Sequence, residues 1–128
     1  MQETHSFEYA VIRLVPQVER EEFLNVGVIL YCRHDKFLQM KFTLDEERLQ
    51  HTFPTADIKE IRLHLRAFEQ ICAGDSMSGP IALLDIASRF RWLTAKRSTI
   101  VQTSDVHPGL CDEPVKTLDR LHRQLVLL

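Results

Sequence analysis

Glycine is scarce in this 128-residue chain, which contains four glycines in all. The sequence holds no G-x-G-x-x-G, G-x-x-x-x-G-K-[ST] or G-x-S-x-G motif, and no H-E-x-x-H motif. These are the local signatures of dinucleotide-binding loops, phosphate-binding loops, hydrolase nucleophiles and zinc proteases. Without them those enzyme classes have no local support, and the sequence identifies no reaction.

Cysteines and long apolar segments are also few. Cys32, Cys72 and Cys111 are odd in number and widely spaced, which argues against a disulfide framework and for buried thiols in a reducing compartment. No segment approaches the roughly 20 apolar residues of a membrane helix, and the N-terminus shows no basic leader followed by an apolar stretch. We therefore predict a cytoplasmic protein with no membrane partner.

Residues with metal-ligand spacing are limited to one weak pair. His107 and Cys111 are spaced as two ligands on a helix would be, but Pro108 and Gly109 between them disfavour a helix. No second pair follows them. The sequence therefore predicts no metal site and no cofactor.

The charge balance excludes one class of partner. The formal net charge is −2, with 27% charged and 45% hydrophobic residues, which is typical of a globular protein. A large nucleic-acid surface requires many Lys and Arg residues against phosphates, and this composition does not supply them. The length fits a single domain over residues 1–128.

Three segments early in the chain have the residue types and alternation of β-strands. They are 7–15, 23–33 and 37–44. The second is apolar on both faces and is predicted to be an interior strand of an antiparallel meander. Strict alternation places Asn25 on the same face as Ile29 and Tyr31. In the third, Gln39 and Lys41 alternate with apolar residues, which predicts one face in contact with water.

Helices follow residue 44. Asp45 is a predicted N-cap of a short helix that ends near Gln50, and Asp57 is a predicted N-cap of a longer helix. Gly74 is the predicted terminator of the longer helix. A third helix is predicted to end near Leu93.

A late strand over 98–104 and a closing helix complete the predicted elements. Asp112 is the predicted cap of that helix, with Pro114 in its first turn. The predicted buried positions of the last two helices are Leu83, Leu84, Ala87, Phe90, Val115, Leu118, Leu121, His122 and Leu125. This order of elements predicts an α+β fold with a mostly antiparallel sheet of about four strands and helices packed on one face.

Residues 95–109 concentrate polar side chains in one short span, and two interpretations are open. In the first, the ends of the late strand form a small pocket. The residues that would hold an anion there are Lys96, Arg97, Ser98 and Thr99. Asp105 and His107 would then be the candidates for catalytic acid–base chemistry. In the second, Ser and Thr side chains bond to strand and loop backbone, and the charged groups are solvated.

The second strand raises a similar question. Asn25 and Gly27 interrupt an otherwise apolar run, and glycine in a strand usually marks a bulge or the close approach of another backbone. Asn25 either lies at a binding cleft or bonds to a neighbouring loop. Arg13 and Glu22 are either ligands of the same site or a structural ion pair.

Two blocks of the sequence resemble a known family. They are "YAVIRLVPQVEREEFLNVGVILYC" and "WLTAKRSTIVQTSDVHPGLCDEP", and they occur in the order and at the separation typical of the bacterial domain of unknown function three thousand and thirty-seven. The resemblance covers about Phe7 to Leu127. The matching positions are Arg13, Glu22, Asn25, Gly27, Arg97, Ser98, Thr99, Thr103 and Gly109. Lys96 stands where family members often have proline.

This resemblance implies no established activity. It implies an accessory role beside a partner with a HipA-like kinase fold, because such proteins often accompany family members. We therefore predict a non-enzymatic interaction domain whose two blocks form one partner-binding face. The predicted face consists of Arg13, Glu22, Asn25, Arg97, Ser98, Thr99 and Thr103. The alternative is a small enzyme or binding protein for a phosphate-containing ligand, and a nucleic-acid-processing role is weaker still.

Overall fold

A computed structural model describes residues 3–127 of the chain. Within that range it contains five β-strands and four α-helices. The strands are β1 (His5–Leu14), β2 (Leu24–Cys32), β3 (Phe37–Phe42), β4 (Val101–Thr103) and β5 (His107–Cys111). The helices are α1 (Glu46–Thr52), α2 (Ile58–Ala73), α3 (Ile86–Leu93) and α4 (Pro114–Leu125). The predicted α+β fold is confirmed.

The sheet is antiparallel and runs in the order β3-β2-β1-β4. β1 also pairs with β5, so its two ends have different neighbours: Ile12 to Leu14 pair with β4, and His5 to Tyr9 pair with β5. The predicted meander and the interior position of the second strand are confirmed. The late strand, Val101–Thr103, is shorter than the predicted 98–104, although backbone hydrogen bonds continue on both sides of it: the Val15 amide donates to the Ile100 carbonyl at 2.7 Å, and the Ser104 amide donates to the Val11 carbonyl at 2.8 Å.

The sequence pattern predicts no strand at β5 and indicates only that Pro108 and Gly109 disfavour a helix there. β5 has β1 as its only partner in the described part of the sheet, and proline is tolerated where a strand has a free edge. Gly109 faces Phe7 across the ladder, and a Cβ there would lie 2.5 Å from the tip of the Phe7 ring. The missing side chain makes room for that ring.

The larger core lies between one face of the sheet and helices α2 and α3. Ile12 and Leu14 of β1 and Ile29 of β2 are fully buried there. Phe90 of α3 is also fully buried, with its ring 5.3 Å from that of Tyr31. Burial of side chains of this size is the main stabilising contribution to a domain of this length.

Helix α4 packs on the opposite face, over β2 and β3. The prediction that all helices pack on one face is therefore wrong, because α4 lies on the face opposite to α2 and α3. Lys41, on the predicted water-facing side of β3, and Thr43, just after β3, contact α4 through polar groups. Lys41 Nζ donates to Asp119 Oδ1 at 2.8 Å, and Thr43 Oγ1 lies 3.0 Å from His122 Nε2. The alternation of polar and apolar residues in a strand is the same whether the polar face contacts water or the polar side of a helix.

The predicted starts of α1 and α2 are confirmed by capping geometry. The Asp45 carboxylate accepts from the Arg48 amide at 3.0 Å, and the Asp57 carboxylate accepts from the Glu60 amide at 3.2 Å. Gly74 ends α2 with φ of 74°, a left-handed conformation that favours glycine.

The last two helices start later than the sequence predicts. Asp85 caps α3, so Leu83 and Leu84 precede the helix and are exposed rather than buried. Glu113, not Asp112, occupies the N-cap position of α4, and Val115 is exposed on its outer side. No helix in residues 3–127 has the length and apolarity needed to cross a membrane.

All three cysteines are free and buried, as expected. Burial raises the pKa of Cys72 to about 12 and that of Cys111 to about 11. Both therefore remain protonated thiols near neutral pH, which makes them poor nucleophiles.

His122 gives the fold a pH dependence. Its side chain is buried, and this burial lowers the pKa of His122, as does the positive charge of Lys41, while Asp119 raises it by a smaller amount. Below the ordinary value of 6.5, the unfolded chain therefore takes up a proton that the folded chain resists. We expect the free energy of unfolding to decrease between about pH 7.5 and about pH 5.5.

Urea unfolding in the presence of a chelator measures this dependence. The His122→Gln variant keeps a hydrogen-bonding group for Thr43 but does not titrate, so its stability should decrease less over the same range. The control is His51→Gln on the exposed side of α1. Equal pH dependence in wild type and His122→Gln would contradict the prediction.

Candidate functional site

A cleft of about 440 Å³ lies along the edge of the sheet where β1 meets β4 and the start of β5. We call it the edge cleft. Its lining residues are Arg13, Lys96, Arg97, Gln102, Thr103, Ser104, Asp105 and His107. On the sheet face that packs against α4, the helix covers β2 and β3. The part of that face near β4, where the edge cleft lies, is left open.

Arg13 projects from β1 into the edge cleft. It pairs with Asn25 on one side of the ladder and with Gln102 on the other, so its backbone is fixed by two strands. Its guanidinium carbon lies 4.1 Å from the centre of the Phe23 ring. The Nε atom is buried and has no hydrogen-bond partner within residues 3–127. An unpaired buried donor of this kind is costly unless a ligand or water accepts from it.

Arg97 has the same type of support on the other side of the cleft. Its guanidinium carbon lies 4.1 Å from the centre of the Trp92 ring, and an Nη atom donates to the Trp92 carbonyl oxygen. Stacking on an aromatic ring holds a guanidinium in place while leaving other N–H donors accessible. The structure therefore orders two arginines, each against an aromatic side chain.

The edge cleft has a positive formal charge. Arg13, Lys96 and Arg97 contribute three positive charges and Asp105 one negative charge, so the net formal charge of these four residues is +2. Lys96 Nζ lies 3.6 Å from Asp105 Oδ1, and both side chains are largely exposed. An exposed pair of this kind is weak, so it can open to a competing anion at little cost.

The predicted acid–base pair is in the cleft, but each member has another contact. His107 pairs with Tyr9 across the β1–β5 ladder, and their ring centres are 5.3 Å apart. Asp105 lies near Lys96 as described. Among the described residues no hydrogen bond joins Asp105 to His107. The geometry thus provides a basic site without an assembled proton-transfer pair.

Most hydroxyl groups of the segment 95–109 bond to backbone. Thr99 Oγ1 donates to the Val101 carbonyl at 2.7 Å, and Thr103 Oγ1 donates to the Thr94 carbonyl at 3.4 Å. Ser104 Oγ accepts from the Val11 amide at 2.8 Å and donates to the Asp105 carbonyl at 2.9 Å. These bonds fix the loop and β4, as the second interpretation of the segment expects. Ser98 and Thr99 are exposed and do not line the cleft.

Asn25 does not line the edge cleft, although it pairs with Arg13 across the β1–β2 ladder. Its Nδ2 donates to the Leu125 carbonyl at 3.3 Å, which ties β2 to the end of α4. It lines a second cavity of about 360 Å³ together with Leu24, Val126 and residues after β3. Its Oδ1 is buried with no hydrogen-bond partner within residues 3–127. Asn25 and Arg97 therefore do not share one cavity.

Gly27 marks a bulge, as its place in the strand suggested. Ile12 pairs with Gly27 and Arg13 with Asn25, so Val26 is the extra residue. A Cβ at Gly27 would lie 2.8 Å from the Lys41 carbonyl oxygen and 2.8 Å from Phe42 Cβ. The close neighbour of Gly27 is thus the adjacent strand β3.

Within residues 3–127, Glu22 forms no ion pair or hydrogen bond with Arg13. Its carboxylate accepts from Arg20 Nε in an exposed ion pair of the β1–β2 connection. Of the residues predicted for a shared face, the structure brings together Arg13, Arg97 and Thr103, along with Asp105 and His107. Glu22, Asn25, Ser98 and Thr99 do not line the cleft.

Sequence reasoning did not assign four contributors to the cleft, which are Gln102, Ser104, Phe23 and Trp92. Gln102 lines the cleft and donates from Nε2 to the Thr99 carbonyl at 2.8 Å. Phe23 and Trp92 support the two arginines. An aromatic side chain that stacks on an arginine can indicate a binding site. Here the fold is needed to show which arginine each ring contacts.

The fold and the cleft define a class of protein: an α+β domain with an open, positively charged cleft at the edge of an antiparallel sheet. A family model described as "Protein of unknown function (DUF3037)" matches residues 9–126, and the chain belongs to this family. The resemblance inferred from the two sequence blocks is thereby confirmed. A comparison with curated proteins gave no match, and a comparison with solved structures gave none.

Proposed function

We propose that this protein is a non-enzymatic interaction domain that binds an anionic group of a partner protein in the edge cleft. One observation carries the proposal: Arg13 and Arg97 are held in the same cleft, each stacked on an aromatic ring. Planar guanidinium groups bind carboxylates and phosphates through paired hydrogen bonds, and pre-ordering reduces the entropy lost on binding.

The absence of a bond between Asp105 and His107 in the described chain supports binding over catalysis. An acid and a base that act together normally lie within hydrogen-bond reach of each other or of the substrate. The kinase-fold partner implied by the family resemblance stays a prediction, as does the cytoplasmic location. A kinase-fold protein is a suitable partner if it presents a phosphate or an acidic segment.

A second candidate function is binding of a small phosphate-containing ligand. The cleft volume of about 440 Å³ favours it, because small-molecule sites typically range from about 300 to 1,000 Å³. The same cationic groups would hold a free phosphate or a phosphate on a protein. The experiment must therefore separate the two sources.

Nuclear magnetic resonance titration with inorganic pyrophosphate tests the anion site itself. Shifts should concentrate on the backbone amides of the edge cleft, and Arg97→Gln or Arg13→Gln should weaken binding by about tenfold or more. Arg66→Gln, on the exposed side of α2, is the matched control and should bind as wild type does. His107→Ala should stay within about tenfold, because a side chain at the rim contributes little.

The source of the anion is tested by co-expression with the predicted kinase-fold partner and gel filtration. Co-elution that is lost in Arg97→Glu and kept in Arg66→Glu would support the interaction domain. Tight binding of ATP without co-elution would favour the small-ligand function instead. ATP turnover that disappears in His107→Ala would overturn the non-enzymatic proposal.

A further inference from the structure

We propose that His5, His34 and Asp35 form a binding site for a divalent transition-metal ion of the zinc type. His5 begins β1, and His34 and Asp35 lie in the turn between β2 and β3. One ligand atom from each residue lies within 4.8 Å of the others. None of the three lines the edge cleft, so this site is separate from the proposed anion site.

The antiparallel pairing of β1 and β2 produces this cluster. The start of β1 lies beside the end of β2, so residues distant in sequence meet at one end of the sheet. The His5 and His34 rings are stacked, with centres 3.4 Å apart and planes inclined by 8°. His34 Nδ1 lies 3.2 Å from Asp35 Oδ1. Two imidazoles and a carboxylate thus meet over strand ends that the sheet holds fixed.

The distances suit a small ion after modest side-chain rotation. Zinc binds imidazole nitrogen and carboxylate oxygen at about 2.0–2.2 Å in a tetrahedral arrangement, which places ligand atoms roughly 3.4 Å apart. We expect this rotation to be made by the His34 and Asp35 side chains, because both residues lie in an exposed turn, whereas the His5 side chain is only 19% exposed at the start of β1.

The donor set selects a class of metal. Two nitrogens and one carboxylate oxygen favour zinc, nickel or copper, whereas magnesium and calcium prefer oxygen ligands alone. Three protein ligands leave a fourth position for water or for the Glu3 carboxylate, whose Oε2 lies 3.9 Å from His5 Nε2.

A supporting contact orients the carboxylate. The buried Cys32 thiol lies 3.5 Å from both Asp35 Oδ2 and the Ser6 carbonyl, and its single proton serves one acceptor at a time. Hydrogen bonds of this kind to a metal-bound carboxylate are typical of built metal sites. Cys32 therefore contacts Asp35 Oδ2, while His34 contacts Asp35 Oδ1.

Titration calorimetry of the untagged full chain with zinc chloride tests the site. We expect one zinc ion per chain and a rise in melting temperature of about 10 °C at a hundredfold excess over Kd. His34→Gln and Asp35→Asn should each weaken binding by at least about tenfold. Magnesium chloride should produce no such rise.

The control is His64→Gln, because His64 is an exposed histidine 3.7 Å from the Glu60 carboxylate on α2. It should bind zinc as wild type does. Circular dichroism checks that each variant is folded, and if Asp35→Asn is not folded, His34→Gln alone decides. Absence of stoichiometric zinc binding, or binding unchanged in His34→Gln, would overturn the proposal.

Discussion

Replacing Phe90 with alanine is expected to reduce the free energy of unfolding by about 3–5 kcal/mol. Phe90 is the largest fully buried side chain of the described residues and contacts the Tyr31 ring across the main core. Its removal deletes apolar contacts and leaves a cavity between α3 and the sheet, which both oppose folding. Chemical denaturation monitored by circular dichroism measures the change.

Leu83→Ala is the matched control for this variant. The sequence pattern predicted Leu83 and Phe90 to share a buried face, but Leu83 is 67% exposed before the start of α3. Its replacement should change stability by less than about 0.5 kcal/mol. A comparable loss in both variants would mean that α3 starts earlier than described and buries Leu83 as well.

Gly27→Val is expected to destabilise the protein by about 3 kcal/mol, at the upper end of the range for added bulk. The new Cβ would meet the Lys41 carbonyl oxygen and Phe42 Cβ, each at 2.8 Å. A backbone atom cannot rotate away, so β2 and β3 must separate locally. Thermal unfolding of Gly27→Ala and Gly27→Val gives the graded test.

The graded pair distinguishes a close contact from simple loss of a flexible glycine. Alanine brings the clashing Cβ, and valine adds two methyl groups in the same space, so valine should destabilise more. If both variants are as stable as wild type, the close packing of β2 on β3 at the bulge is incorrect. Hydrogen exchange of the β2–β3 amides should increase in the variants, since the effect is local.

Much of the fold could be predicted because local patterns and tertiary contacts agree. Asp45 and Asp57 cap helices as their positions suggested, and Gly74 ends α2. The second strand is apolar on both faces because helices cover both faces, so its interior position was readable. These features depend on a few neighbouring residues.

The rest could not be predicted because it depends on contacts between distant segments. Strict alternation placed Asn25 with Ile29 and Tyr31, but the bulge at Val26 turns Asn25 toward α4, where it bonds to Leu125. Lys41 suggested a wet face, yet it contacts α4 through Asp119. A polar interface between a strand and a helix has the same sequence pattern as a solvated surface.

The candidate site was predictable where its residues are close in sequence and not where they come from distant segments. The segment 95–109 was identified from its polar residues, and five of the predicted residues line the edge cleft. Arg13 joins them only because β1 pairs with β4 and β5. Likewise, nothing in the sequence relates His5 to His34 until β1 and β2 pair. Convergence of distant residues is a property of the topology.

The contact between Arg97 and Trp92 gives the protein a built-in optical reporter. Trp92 is the single tryptophan of the chain; the residue is 37% exposed, and its ring lies beside the guanidinium that we propose binds the anion. An anion that draws Arg97 toward itself changes the charge next to the indole, and indole emission responds to nearby charge. Occupancy of the edge cleft can therefore be followed by intrinsic fluorescence, without a label and at the low protein concentrations that tight partners require.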